Sequence, residues 1–383
     1  MILKTNLWKT ALFFLVAIAL WACSGNVRPS ADAPEVVHFV FVSDMHYGTT
    51  RTFNGKVCTT EEVCMSMLEV INSLPDNYLP CDDGVGACHA IEGIEMIVNG
   101  GDVINRQEIG IQSAAISWEQ FKTGFVDKVT TKTKAGEKTE LYVLPGNHDV
   151  SNAIGYFQPM YPLTDASAMA GIYNLMFYPK IPMTAEKYNY AADKMNLSVE
   201  RFNVCFFFVN IWPGTAERQW MATRLSELPP GTPALIFAHD PPDIPASHLT
   251  NPTPPHDINS IAQFSNMIPE MPASDGSAID VQRGFSLFVA AHPNIKAYFH
   301  GHSNYTEFYV FTGPDDNIHL HTFRADSPMK GRYSANDQSL LSFIVASIDL
   351  STLQMTVREC FWARGDRRIE WGQSKTINLE TEI

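Results

Sequence analysis

Five short apolar runs, each breaking abruptly into a polar cluster that contains Asp, His or Asn, constrain this chain more than any other feature. The runs cover residues 36–42, 96–98, 141–144, 234–238 and 295–299, and they are rich in Val, Ile, Leu, Phe and Tyr. Runs of that length, apolar at nearly every position, are expected of strands buried on both faces, as in a mostly parallel sheet covered by helices. The polar clusters then fall at the carboxyl ends of strands, where open α/β sheets place their ligands. Helical spacing of apolar residues predicts helices over residues 118–126 and 217–228. Further strands are predicted at 202–212, 341–350 and 352–362, the last two as a hairpin. Residues 47–92, 151–200 and 241–283 read as long irregular insertions, of the kind that usually cap a site.

The clusters themselves are Ser43-Asp44-Met45-His46, Gly100-Gly101-Asp102-Val103-Ile104-Asn105, Pro145-Gly146-Asn147-His148-Asp149, Ala238-His239-Asp240 and Phe299-His300-Gly301-His302-Ser303-Asn304. Any one of them is an ordinary capped turn. Together they present carboxylate, imidazole and amide donors at five strand ends, without thiolates. Such a donor set suits Mn, Fe, Zn or Mg ions. His38, His248, His256, His319 and His321 lack that placement and are read as structural.

In this order, Asp44-x-His46, Gly101-Asp102-x-x-Asn105, Gly146-Asn147-His148-Asp149, His239 and Gly301-His302-x-Asn304 resemble the motifs of the calcineurin-like metallophosphoesterases. That superfamily includes purple acid phosphatases and acid sphingomyelinases. The resemblance implies an α/β fold, a four-layer α/β/β/α sandwich of two mixed β-sheets flanked by helices. It implies two divalent metal ions, one held by Asp44, His46 and Asp102, the other by Asp102, Asn147, His239 and His302, with Asp102 bridging. The superfamily has a second histidine where this chain has Asn304, whose neutral carbonyl oxygen is a poorer donor. An alternative register uses His300 and His302 as the histidine pair. The Gly301 register is preferred because glycine allows the tight turn. The implied reaction is hydrolysis of a phosphomonoester or phosphodiester by metal-activated hydroxide at the dinuclear site. His148 would protonate the leaving oxygen, Asp149 would orient it, and Arg106, with Arg324 as a weaker candidate, would grip a phosphate oxygen. The alternatives are a degenerate surface lipoprotein acting as a binding module and a lipid-active phosphodiesterase at the membrane surface.

The N-terminus carries Lys4 and Lys9, then an apolar run over residues 11–20, then Trp21-Ala22-Cys23. The run is too short to span a bilayer and suits a signal-peptide core. Cys23 resembles the lipidated cysteine of a bacterial lipoprotein. The expected organisation is a signal peptide over residues 1–22, a lipid-anchored tether over 23–35 and the catalytic domain over 36–383. The protein is thus expected to cross the inner membrane and remain a periplasmic or cell-surface lipoprotein. Its partners would be a small-molecule or lipid phosphoric ester and, through the anchor, the bacterial membrane. A formal charge of −14, from 41 acidic against 27 basic side chains, excludes bulk nucleic-acid binding. An exported chain can form disulfides, and Cys58, Cys64, Cys81 and Cys88 cluster closely enough for two local bridges, whereas Cys205 sits in an apolar run and is read as a buried thiol.

Overall fold

A computed structural model of the chain describes residues 35–105, 112–151, 166–250, 267–364 and 369–381. The first apolar run is β1 (Val36–Val42), followed by a hairpin of β2 (Thr50–Phe53) and β3 (Lys56–Thr59) and by helix α1 (Thr60–Ser73). Then come β4 (Met96–Asn99), α2 (Ala114–Gly124), β5 (Glu140–Val143), the short α3 (Asn147–Ser151) and α4 (Ser167–Phe177). The second half contains β6 (Leu197–Arg201), β7 (Val204–Phe208), α5 (Thr215–Glu227), β8 (Ala234–Phe237), α6 (Ile279–Ala291) and β9 (Ile295–His300). It closes with β10 (Glu307–Phe311), β11 (Leu320–Arg324), β12 (Ser342–Asp349), β13 (Gln354–Phe361) and β14 (Glu370–Asn378).

Among the described residues the strands form two six-stranded mixed sheets, ordered β14-β13-β12-β1-β4-β5 and β10-β11-β9-β8-β7-β6. β1, β4 and β5 run parallel in the first, and β7, β8, β9 and β11 in the second. The predicted hairpin is the antiparallel pair of β12 and β13. This is the two-sheet, helix-flanked α/β architecture that the motifs implied.

Side-chain alternation along each strand explains why the sheets stack. Phe39 of β1 meets Phe206, Phe237 and Phe299 of the opposing sheet at ring distances of 5.5–6.2 Å. Phe41, two residues on, packs on Phe237 and Phe299, and Tyr142 stacks on Phe208. The intervening positions turn outward to helices: Phe207 meets Trp220 of α5, and Tyr298 meets Phe285 of α6. An aromatic layer therefore fixes the spacing of the two sheets, and with it the distance between their strand-end loops.

Two expectations need correction. Residues 47–92 are irregular only in their last part, after residue 76: Thr59 and Glu62 form a capping box at the start of α1, and Val63, Cys64, Met67, Leu68 and Ile71 bury one helical face. Residues 151–200 likewise hold α4 and β6. Of the two local disulfides expected, one is present, Cys81–Cys88. Cys58 and Cys64 are free and buried, packed into the core by β3 and by α1. Cys205 is a buried thiol, as read from the sequence.

Candidate metal centre

The five polar loops leave the carboxyl ends of β1, β4, β5, β8 and β9, three from one sheet and two from the other. They are tied to each other as well as to their strands. Asp44 N–H donates to the Gly101 carbonyl and His46 N–H to the Asp102 carbonyl, both at 2.9 Å. Across the sheets, His302 N–H donates to Asp44 Oδ2 at 3.0 Å, and His239 Nδ1 lies 2.8 Å from the Gly100 carbonyl. A carbonyl only accepts, so Nδ1 of His239 carries a proton and Nε2 is the nitrogen that faces the centre. Asp44, His46, Asp102, His302 and Asn304 all hold left-handed backbone, with φ between 50° and 66°. Non-glycine residues persist there only when their surroundings over-determine the geometry, as at functional sites. Two glycines let the loops close: a Cβ on Gly146 would stand 2.1 Å from Asp102 Oδ1, and one on Gly301 would stand 2.2 Å from Asp44 Oδ2.

Asp102 occupies the middle. Its Oδ2 lies 3.8 Å from Nε2 of both His46 and His148, and its Oδ1 lies 3.5 Å from Nε2 of His239. On the first side, His46 Nε2 is 3.8 Å from Asp44 Oδ1. On the second, Asn147 Oδ1 is 3.1 Å from both His239 Nε2 and His302 Nδ1. Donors that share one ion at about 2.0–2.2 Å stand about 3–4.5 Å from each other. The spacings found here are of that kind, on two sides of one carboxylate.

Unsatisfied atoms mark the same place. Asp44 Oδ1 and Asp240 Oδ1 are buried without a hydrogen-bond partner. A buried polar atom left so would cost on the order of 1–3 kcal/mol unless something else engages it. Burial pushes the Asp44 carboxyl above its ordinary range. It raises Asp102 to about 8, against the pull of His239 and with the push of Asp44 and Asp149. Burial also holds His46 and His302 well below the usual imidazole range, which keeps them neutral. Crowded buried carboxylates, beside the His46 and His302 imidazoles that stay unprotonated, are a donor set that fits divalent cations.

Residues 37–304 match the family model described as calcineurin-like phosphoesterase. The chain belongs to the calcineurin-like phosphoesterase family. It is accordingly a phosphoesterase, a hydrolase that acts on phosphoric esters with the help of metal. A sequence comparison with curated proteins returned no match. Among solved structures, it is similar to a dimetal phosphatase from Danio rerio, at 9% identity and a TM-score of 0.49 over 91% of this chain and 100% of that one. It is also similar to Vps29 of Entamoeba histolytica complexed with Zn2+, at 8% identity and a TM-score of 0.32 over 90% and 100% of the two chains. At these values the likenesses add nothing to the family match and the geometry.

This phosphoesterase brings together Asp44, His46, Asp102, Asn147, His148, His239 and His302 as expected from the sequence, and Asn304 Oδ1 lies near His46. His300 lies apart: Nδ1 faces the Gly301 carbonyl and Nε2 the Tyr309 hydroxyl, each at 3.0 Å. Asp149 does not orient the His148 ring. Its carboxylate accepts the backbone N–H groups of Val103, Ile104 and Gly146, while Nδ1 of His148 pairs with the Asn105 carbonyl. The reason is local: both residues lie in α3, where neighbours in sequence point away from each other. Arg324 is engaged elsewhere, paired with Glu307 and stacked over the Tyr305 ring. Arg106 and Cys23 lie outside the described residues. Two residues escaped the sequence reading. Asp240 adjoins His239 with its Oδ1 3.6 Å from His302 Nδ1, and His248, read as structural, is bonded to Asp240 Oδ2 at 2.7 Å. Asp240 stood in a cluster that had already been singled out, but only the distance to His302 shows its relevance.

Proposed function

We propose that the protein hydrolyses phosphoric mono- or diesters at a dinuclear centre, with Asp44, His46, Asp102 and Asn304 holding one divalent ion and Asp102, Asn147, His239 and His302 the other. The observation that carries this reading is the placement of donors on both sides of one buried carboxylate, Asp102, with Asp44 Oδ1 left without a hydrogen-bond partner. When bound, two such ions supply Lewis acidity that lowers the pKa of water towards about 7 and clamps the oxygens of an in-line displacement.

The chain's own residues do the remaining work. Asp102 directs one oxygen to each side, and its Oδ1 is held by the His148 backbone N–H at 2.8 Å. The Asn105 carbonyl fixes the His148 ring with the proton on Nδ1, and 12% of that side chain reaches solvent. Nε2 of His148 is therefore the nitrogen able to carry a proton to the departing oxygen of an ester. Asp149 acts on the loops, by gathering three backbone N–H groups from the two clusters. Lys330 has its charge within reach of Asp44 and His46 and is a cation beside the first position. We place the protein in the bacterial envelope, anchored through Cys23. The support is the apolar run over residues 11–20 and the small residue before the cysteine.

The test is a panel of phosphate mono- and diesters, soluble and micellar, assayed with Mn2+, Zn2+ and Mg2+ for the wild type and for Asp102→Asn. Metal-dependent turnover that falls by orders of magnitude in the variant supports the proposal. Equal turnover by the two proteins, or a wild type that binds no metal, refutes it.

A further inference from the structure

We propose that Asp240 is an additional metal ligand, supplying a carboxylate oxygen to the ion held by Asn147, His239 and His302 and making that position the tighter of the two. This rests on the dinuclear reading above. None of the motifs that carry the family resemblance uses Asp240. The ligating atoms of His239, Asp240 and His302 lie within 4.8 Å of one another, close enough to share one ion. Asp240 is completely buried, and its two oxygens are treated differently. Oδ2 is fixed by His248 Nδ1 at 2.7 Å, whereas Oδ1 is buried without a hydrogen-bond partner.

The direction of Oδ1 separates a ligand from a mere support. A carboxylate that only orients a ligating histidine accepts the N–H of the ring nitrogen that is not on the metal. Here Oδ1 lies 3.6 Å from His302 Nδ1, the nitrogen that also lies 3.1 Å from Asn147 Oδ1. The oxygen and that nitrogen thus converge on the same point. His248 completes the arrangement from the other side, since its bond to Oδ2 stops the carboxylate from turning away, and its ring packs against that of His302.

The inference changes the order of metal affinity. Without Asp240 the first position has two carboxylates, Asp44 and Asp102, against one at the second. With it, the second has two carboxylates, two imidazoles and an amide, while the first has two carboxylates, one imidazole and the Asn304 amide. More anionic and imidazole donors bind a divalent ion more tightly.

Calorimetric titration of chelator-treated full chain with Mn2+ tests this. Asp240→Asn is expected to weaken the tighter of two binding events by about tenfold or more, leaving the weaker within about threefold. His248→Gln keeps a donor for Oδ2 and should titrate like the wild type, whereas His248→Leu frees the carboxylate and should weaken the tighter event. This pair decides the matter even where Asp240→Asn does not fold. The inference is overturned if Asp240→Asn and His248→Leu bind Mn2+ as the wild type does, or if the two events weaken equally. A wild type that binds no ion would instead refute the proposed function, so the two failures are distinct.

Discussion

Replacing Gly301 by alanine tests the centre with the smallest possible change. The backbone there is not left-handed, so alanine meets no conformational penalty and acts through contact alone. The new Cβ would stand 1.9 Å from Ser43 Oγ and 2.2 Å from Asp44 Oδ2, where real contacts almost never fall below 3.0 Å. Ser43 must therefore move by about 1.1 Å and Asp44 by about 0.8 Å, or the 301 loop must retreat by as much. Both residues are fully buried, and Asp44 Oδ2 also accepts the His302 N–H, so any relief separates the β1 and β9 loops. Overpacking of this kind costs about 1–3 kcal/mol of stability. A displacement near 1 Å in a reacting constellation costs on the order of 10²-fold in rate. The assay is kcat/KM on a nitrophenyl phosphate with saturating Mn2+, together with metal content and urea unfolding. Gly55→Ala is the control: its φ of +76° is strained for alanine, but nothing lies within 4 Å, so it should lower stability by about 1 kcal/mol and leave kcat/KM unchanged. If Gly301→Ala kept kcat/KM within threefold, the convergence of the two loops would not be what activity depends on.

Three further outcomes are expected. His148→Ala should slow alkyl phosphates by about 10²–10⁴-fold and nitrophenyl phosphates far less, because only poor leaving groups need a proton; equal losses in kcat would refute the assignment. Arg358→Met should destabilise the protein by about 3–5 kcal/mol in urea unfolding while sparing kcat/KM, since Arg358 is buried, forked onto Asp82 and bonded to the Val85 carbonyl. His38 has its pKa lowered from 6.5 to about 4, chiefly by burial and then by Arg358, so the folded state resists a proton that the unfolded chain accepts. Its stabilising effect is complete above pH 6.5 and is lost as the pH falls towards 4, by about 2 kcal/mol at pH 5. His38→Gln should flatten unfolding free energy against pH in that window, and an unchanged slope would show that another group is responsible.

The centre was legible in the sequence because parallel strands buried on both faces leave short, mostly apolar runs, and the chemistry begins where each run stops. Val36–Val42 was read to the residue for that reason. Long-range partners were less visible. Nothing in the sequence around His248 says that a proline-flanked turn returns to Asp240. The family resemblance implies that Asp149 orients His148, yet within α3 adjacency separates their side chains, and the carboxylate turns back to the Asp102 loop. Residues 47–92 failed differently. The Thr59–Glu62 capping box and the apolar spacing after it were present in the sequence, but the clustered cysteines suggested a cross-linked loop. Cys64 belongs to a helical face and only Cys81 meets Cys88, because pairing follows position in space and not density in sequence.

The left-handed backbone at five candidate ligands bears on how the centre is made ready. Each such residue costs about 1–3 kcal/mol, which an ion could in principle recover on binding, and the loops would then order only with metal present. The hydrogen bonds argue otherwise. Asp44 and His46 N–H groups are held by the carbonyls of the Asp102 loop, Ser327 Oγ donates to the Asp44 carbonyl, and His239 is anchored to Gly100. These contacts join loops whose strands are fixed by the aromatic layer between the sheets. The strain is thus offset by the fold itself, and what is left for a cation to relieve is electrostatic, namely the mutual repulsion and burial of Asp44 and Asp102. A centre built in this way has its donor geometry set by contacts within the protein, which is the condition under which a single added methyl group at Gly301 can disable it.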